Sequence, residues 1–189
     1  MPKKHVLPRW TERLTLRRLS RDDLAAFQAY RLDPVVGEYQ GWSPMSDDQA
    51  LSFLHEMNGA AALAPGEWFQ IGIADRRSNT LIGDIGVCVS GHGLEAEIGF
   101  ALGRPHQGQG LAREAVGEAI GLIFDATDVQ RVVAVTDARN DPARKLLSTL
   151  GMAHIGEHQA MFRGEPCVEH TFALARKRRE RRSPDEGAA

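Results

Sequence analysis

Residues 99–113 read Gly99-Phe100-Ala101-Leu102-Gly103-Arg104-Pro105-His106-Gln107-Gly108-Gln109-Gly110-Leu111-Ala112-Arg113. An apolar strand runs into a glycine-bearing loop, which opens onto a helix expected over 111–126 with Ala115, Val116, Ala119, Ile120 and Ile123 as its stripe. The first N–H groups of a helix have no intrahelical acceptor, and the helix dipole favours negative charge there. Gly108 and Gly110 let the backbone close on a bulky anion with no Cβ in the way. The segment therefore reads as a pyrophosphate cradle. It is not a P-loop, because no Gly-Lys-Ser/Thr follows, and the third glycine of a dinucleotide fingerprint is missing.

Upstream, Leu14 to Leu19 alternates as a first strand, and Ser20 is placed as the N-cap of a helix striped by Leu24, Phe27 and Tyr30. Ser46-Asp47-Asp48-Gln49 fits a capping box that opens a second helix through Met57. Trp68 to Ala74 and Thr80 to Val89 read as strands, with Leu81, Ile85, Val87 and Val89 expected on one face. Glu95 to Leu102 is the next strand. Downstream, Arg131 to Thr136 is a short buried strand, Asn140 caps a helix ending at Leu150, and Gly151 suits the left-handed residue after it. Met152 to His158 and Cys167 to Leu174 form a terminal pair of strands. Two helices, an antiparallel meander and then strand–helix–strand–helix–strand specify a mixed α/β (α+β) fold with helices on both faces of one sheet.

The chain has 189 residues, 42% hydrophobic and 25% charged, which suits one domain with a full core. A formal net charge of −2 gives no general attraction to nucleic acid or anionic membrane. No apolar run is long enough to cross a bilayer, and Met1-Pro2-Lys3-Lys4-His5 does not lead into the apolar stretch of a signal peptide, so a cytoplasmic location is expected. Cys88 and Cys167 are too few for a disulfide framework and read as small buried hydrophobes. From Arg176 the composition changes to Arg-Lys-Arg-Arg-Glu-Arg-Arg. Residues 1–175 are expected to form a single domain, and 176–189 a charged, disordered tail whose only contact with nucleic acid is a weak one with RNA.

Three blocks together resemble the GNAT superfamily of N-acetyltransferases, in its ribosomal-protein N-acetyltransferase-like branch. Gln107-x-x-Gly110-x-Ala112 after a strand is similar to that family's acetyl-CoA motif. Asn140-Asp141-Pro142-Ala143-Arg144-Lys145-Leu146-Leu147-Ser148-Thr149-Leu150-Gly151-Met152 is similar to its strand–Asn–helix–Gly–aromatic segment, with Met152 replacing the usual Phe. Thr11-Glu12-Arg13-Leu14-Thr15-Leu16-Arg17, followed by Asp22-Asp23-Leu24, is similar to the front of the ribosomal-protein branch. The blocks lie in the family's order and span nearly the whole domain.

The resemblance implies the GNAT fold, a mostly antiparallel twisted sheet of about seven strands with about four helices, and acetyl-CoA as cosubstrate without a metal. It implies that the backbone of Phe100, Ala101 and Leu102 meets the pantetheine arm, with an N–H there facing the thioester carbonyl as it becomes an oxyanion. Gln107, Gly108, Gln109, Gly110, Leu111, Ala112 and Arg113 would hold the pyrophosphate, and Asn140 would contact the cofactor besides capping its helix. A neutral amine attacks the thioester directly, so a proton must leave the ammonium; Glu97 is the first candidate base and Glu95 the second. The usual proton donors to the thiolate are missing, because Leu147 stands at the family's tyrosine position and Ala143 at the serine of this branch. Ser148 would point about 100° away on a helix.

The acceptor is expected between the first two helices and the last strands, against Tyr39 and Trp42, with Tyr30, Trp68 and the segment from Met161 to Glu169 as further walls. Glu165 and Glu169 are placed to attract a cationic amine. Small-molecule amines and peptide or protein N-termini both remain as acceptors, and a homodimer stays open. The second reading is a non-catalytic acyl-CoA sensor or interaction module, because no residue takes the general-acid role. His154 and His158 have the spacing of a helical zinc pair but fall in an expected strand, so no metal site is expected.

Overall fold

Ser20 and Ser46 each accept a backbone N–H while the side chain three residues on reaches back to their own N–H. In the computed structural model, which describes residues 6–177, the first of these boxes opens a 3-10 turn, Arg21–Asp23, that leads into α1, Leu24–Arg31. Regular helix therefore begins one turn later than the cap predicts. The second box opens α2, Asp47–Gly59. α3 spans Leu111–Ala126 and α4 spans Asp141–Thr149, the latter capped by Asn140 Oδ1 on the N–H of Ala143. No described helix is long and apolar enough to cross a membrane.

The strands are β1 (Arg9–Trp10), β2 (Leu14–Arg17), β3 (Trp68–Asp75), β4 (Leu81–Val89), β5 (Glu95–Leu102), β6 (Arg131–Asp137), β7 (Ala153–Phe162) and β8 (Glu165–Ala175). They form one sheet in the order β1-β2-β3-β4-β5-β6-β8-β7, antiparallel except between β5 and β6. The strand beyond the seven expected is β1, a two-residue edge on β2. The terminal hairpin is longer than the sequence marks. Arg163 and Gly164 both have positive φ, 52° and 84°, so a two-residue turn carries pairing through Phe162 and Glu165.

Helices on opposite faces bury two separate clusters. One packs Phe27, Ala50 and Leu54 of α1 and α2 against Leu19, Leu81 and Ala101. The larger packs α3 and Leu147 of α4 against Ile71, Ile85, Val87, Ile98 and Phe172. Leu81 is thus not on the face of Ile85, Val87 and Val89, as its spacing predicts. A register shift opposite Ile73 and Ala74 inserts a residue between Leu81 and Gly83, and one extra residue turns a side chain to the other face.

Tyr30 and Arg31 fasten α1 to β4. The Tyr30 hydroxyl and Arg31 Nη2 each donate to Asp84 Oδ2 at 2.6 Å. Burial and the neighbouring Asp84 charge hold the Tyr30 phenol well above its ordinary pKa. The Arg31 guanidinium lies 4.0 Å from the centroid of the Trp42 ring, whose Nε1 donates to the Arg31 carbonyl. At the other end of the domain, Arg176 gives its guanidinium to the carbonyls of Phe124, Thr127 and Val129, closing the end of α3. Arg176 is the first residue past the boundary expected at residue 175, and residues 178–189 of the basic tail lie outside the described residues.

Gly83 lets β4 and β5 meet. A Cβ there would stand 2.3 Å from the Ala101 carbonyl oxygen and 3.0 Å from Leu102 Cα, both backbone atoms that cannot move without parting the strands. Gly83→Ala is expected to cost about 2 kcal/mol and to lower the melting temperature by roughly 4–8 °C, read by calorimetry.

Candidate active site

Parallel pairing of β5 with β6 covers only Glu95↔Arg131, Ala96↔Val132 and Glu97↔Val133. Beyond Glu97, β5 stays with β4 while β6 runs on with β8 to Asp137. A wedge opens between them. Backbone direction alternates along a strand, and the Ala101 carbonyl points at Gly83 in β4. The backbone groups of Phe100 and Leu102 therefore face the wedge. Their carbonyls are taken by side-chain amides, Gln40 Nε2 at 3.2 Å and Gln107 Nε2 at 2.7 Å.

The glycine loop closes one end of this seam. Gly108 and Gly110 take φ of 72° and 78°, and Gly110 is the N-cap of α3. The N–H groups of residues 108–113 find no acceptor among the described residues. Six successive free donors at the start of a four-turn helix fit a diphosphate, and Gly108 has no heavy atom near its Cβ position to obstruct one. Arg13 holds the loop in place, donating to the Gln109 carbonyl at 2.9 Å and to Glu114 Oε2 at 2.7 Å. Burial would raise the Glu114 pKa, but hydrogen bonds from Thr11 and Arg13 outweigh it and hold the carboxyl below its ordinary range. Its negative charge is thereby offset beside the anion cradle. Arg113 is exposed on the first turn of α3.

The other end opens into a cavity of about 390 Å³ lined by Tyr39, Gly41, Glu97, Val135, Thr136, Asp137, His158, Phe162 and Glu169. Glu169 pairs with His158 at 3.1 Å, and Asp137 is bonded by Arg139 through both guanidinium nitrogens that reach it. The Arg139 hydrogen bond, its largest influence, lowers the Asp137 pKa. Glu97 has no such partner. Burial, then the charges of Glu169 and Glu95, raise its pKa above the ordinary glutamate range. The Tyr39 phenol is also raised, by burial and by the neighbouring Glu38 carboxylate.

Residues 13–153 match the family description "Acetyltransferase (GNAT) domain". The chain belongs to the GNAT acetyltransferase family. It is 32% identical over 149 residues to an uncharacterised N-acetyltransferase, p20, of Bacillus licheniformis, covering 78% of this chain and 83% of that one. Among solved structures it is similar to a GNAT-family acetyltransferase of Bacillus anthracis, with a TM-score of 0.79, 20% identity and coverage of 89% and 98%. It is also similar to RimL, a ribosomal L7/L12 alpha-N-protein acetyltransferase in complex with coenzyme A, with a TM-score of 0.74, 16% identity and coverage of 87% and 95%.

Set on this GNAT fold, the residues singled out from sequence divide into two groups. The wedge brings together Glu97, Tyr39, the backbone of Phe100 and Leu102, and the loop from Gln107 to Arg113. Ala101 is turned into the β4 pairing, away from the wedge. Glu95 is bound to Arg131 at 2.6 Å and does not line the cavity. Trp42 is engaged with Arg31 and lines neighbouring grooves. Tyr30 is committed to Asp84, and Glu165 is exposed at the start of β8, outside the cavity. Leu147 is buried in the core, so the family's tyrosine position offers no proton. Phe162 and Glu169 line the cavity from the segment expected to wall it, while Asp137 and His158 reach it without a sequence signal for that role, because only the pairing of β6, β7 and β8 brings them to Glu97. Gly110→Trp, which places bulk in the cradle and costs about 1 kcal/mol at a left-handed residue, should abolish the stabilisation by acetyl-CoA. In the wild type, ligand at about 100 times its Kd should add roughly 2.7 kcal/mol, several degrees in melting temperature.

Proposed function

We propose that this GNAT protein passes the acetyl group of acetyl-CoA directly to a primary amine bound in the acidic cavity, with Glu97 as base. The reading rests on one coincidence: a free N–H cradle, an unpaired strand edge and an acidic cavity lie along the same seam. Acetyl-CoA, when bound, supplies the activated thioester. The N–H groups of 108–113 hold its pyrophosphate, Asn140 contacts it from the cap of α4, and the N–H of Phe100 or Leu102 meets the carbonyl as negative charge grows on its oxygen. Glu97 and Glu169 draw in an ammonium, and Glu97 takes its proton. A carboxylate with a raised pKa is the better base. Tyr39, which keeps its proton, is assigned to the departing thiolate. The front block and the likeness to RimL favour a peptide or protein N-terminus over a small amine.

Release of free thiol from acetyl-CoA, measured across N-terminal peptides, polyamines and aminoglycosides, tests the reading. Turnover with a primary amine, lowered about 100- to 1000-fold by Glu97→Gln, is the expected result. Binding of acetyl-CoA with no turnover on any acceptor would instead establish a sensor. The rise of kcat/KM with pH should follow the raised Glu97 pKa. Removing a like charge favours the ionised form, so Glu169→Gln should move that limb to lower pH; a limb that persists in Glu97→Gln belongs to another group. Tyr39→Phe should lower kcat about 10- to 100-fold with KM little changed, since the lost proton transfer acts only in the transition state.

A further inference from the structure

His154, Glu157 and His170 lie away from the acceptor cavity, on the face of the β7–β8 hairpin that carries the larger core. His170 is directly opposite Glu157, and His154 opposite Phe172, a member of that core. A bulge between His154 and Gly156 makes this grouping possible. In a regular strand, residues three apart point to opposite faces. The extra residue turns His154 to the face of Glu157, while His158 faces the cavity and pairs with Glu169. Bulges recur where a side chain is re-aimed for a purpose.

We propose that His154, Glu157 and His170 form a site for a divalent ion of the zinc class. One donor atom from each lies within 4.8 Å of the other two. His170 Nε2 and Glu157 Oε2 are 3.5 Å apart. That is wider than a hydrogen bond of about 2.7–3.2 Å, and close to the separation of about 3.3 Å between donors that each sit about 2.0–2.1 Å from a tetrahedral zinc. The His154 ring is stacked on His170, centroids 4.5 Å apart. A stack aims both in-plane lone pairs in similar directions, so the His154 ring turns about its Cβ–Cγ bond to reach the ion. The residue is exposed to solvent, and its ring contacts are those with His170 and Phe172, which the turn exchanges for the ion. Two imidazoles and a carboxylate select zinc over magnesium or calcium and leave a fourth position to water. The ion would staple edge strand β7 to β8 where the bulge interrupts their pairing.

His170 Nδ1 is buried with no hydrogen-bond partner. A ligating histidine ordinarily gives its second N–H to an acceptor, and losing that support weakens a site about 10- to 100-fold. Micromolar affinity is therefore expected. The test is a titration of tag-free, full-length protein with zinc chloride, followed by calorimetry and by melting temperature. Wild type should take up one equivalent and gain several degrees at zinc near 100 times its Kd. His154→Ala removes an exposed side chain and is expected to keep the fold, checked by its melting temperature without zinc; it should weaken binding at least 10-fold, as should His170→Ala. His158→Ala should bind zinc as wild type does. No uptake below about 1 mM, or equal uptake by His154→Ala, would overturn the proposal, and loss in His158→Ala alone would assign the zinc to the cavity face.

Discussion

β5 makes seven residue pairs with β4 and β6 makes seven with β8, but β5 and β6 make only three with each other. Each inner strand is held by its outer neighbour, and the two halves of the sheet diverge. Backbone groups inside a protein do not stay unpaired without cost. The carbonyls of Phe100 and Leu102 are satisfied by Gln40 and Gln107, which leaves the N–H groups of the same residues as the donors facing the wedge. Gly83 is part of the same constraint, because any larger residue would push β5 away from β4 and close the wedge from the other side.

Charge is divided along the seam. At the α3 end, free N–H groups and the helix dipole favour an anion, and Arg13 offsets the one carboxylate in the first turn. At the cavity end, Asp137 is matched by Arg139 and Glu169 faces His158, while Glu97 has only like charges beside it. In the proposed reading an anionic cosubstrate and a cationic acceptor take opposite ends of this groove, with the least compensated carboxylate, Glu97, between them. Gln40 links the two: its side chain rests on β5, and its carbonyl and that of Gly37 are held by Arg163 from the β7–β8 turn. Tyr39 and Gly41, which wall the cavity, flank it.

Much of this was legible in the residues themselves. The Ser20 cap, the Ser46 capping box, the Asn140 cap, the left-handed Gly151 and the full extent of α3 depend on neighbours within a few positions, and the side chains state them directly. Glu97 was legible as a polar residue among apolar alternates on a strand. Less legible were positions where one residue changes the face of a strand. Leu81 and His154 both sit at register shifts, and an inserted residue leaves little trace in hydrophobic spacing. The long hairpin was missed for a related reason, since Arg163 in a left-handed conformation is not a turn signal that the side chain carries.

Sequence alone determined the order of the main elements and the glycine-bearing loop at the start of α3, because these rest on local backbone chemistry: helix caps and glycine at positive φ. The family was legible only through the resemblance of three blocks of residues. The tertiary structure alone decided which side chains share a cavity. Glu97, Asp137, and His158 with Glu169 come from β5, β6 and the β7–β8 hairpin, brought to one place by the register across β5, β6, β8 and β7, and Tyr39 joins them from the loop between α1 and α2. That register is a sum of long-range pairings and bulges, and the pKa of Glu97 is raised first by the burial those pairings create and then by the charges of Glu169 and Glu95.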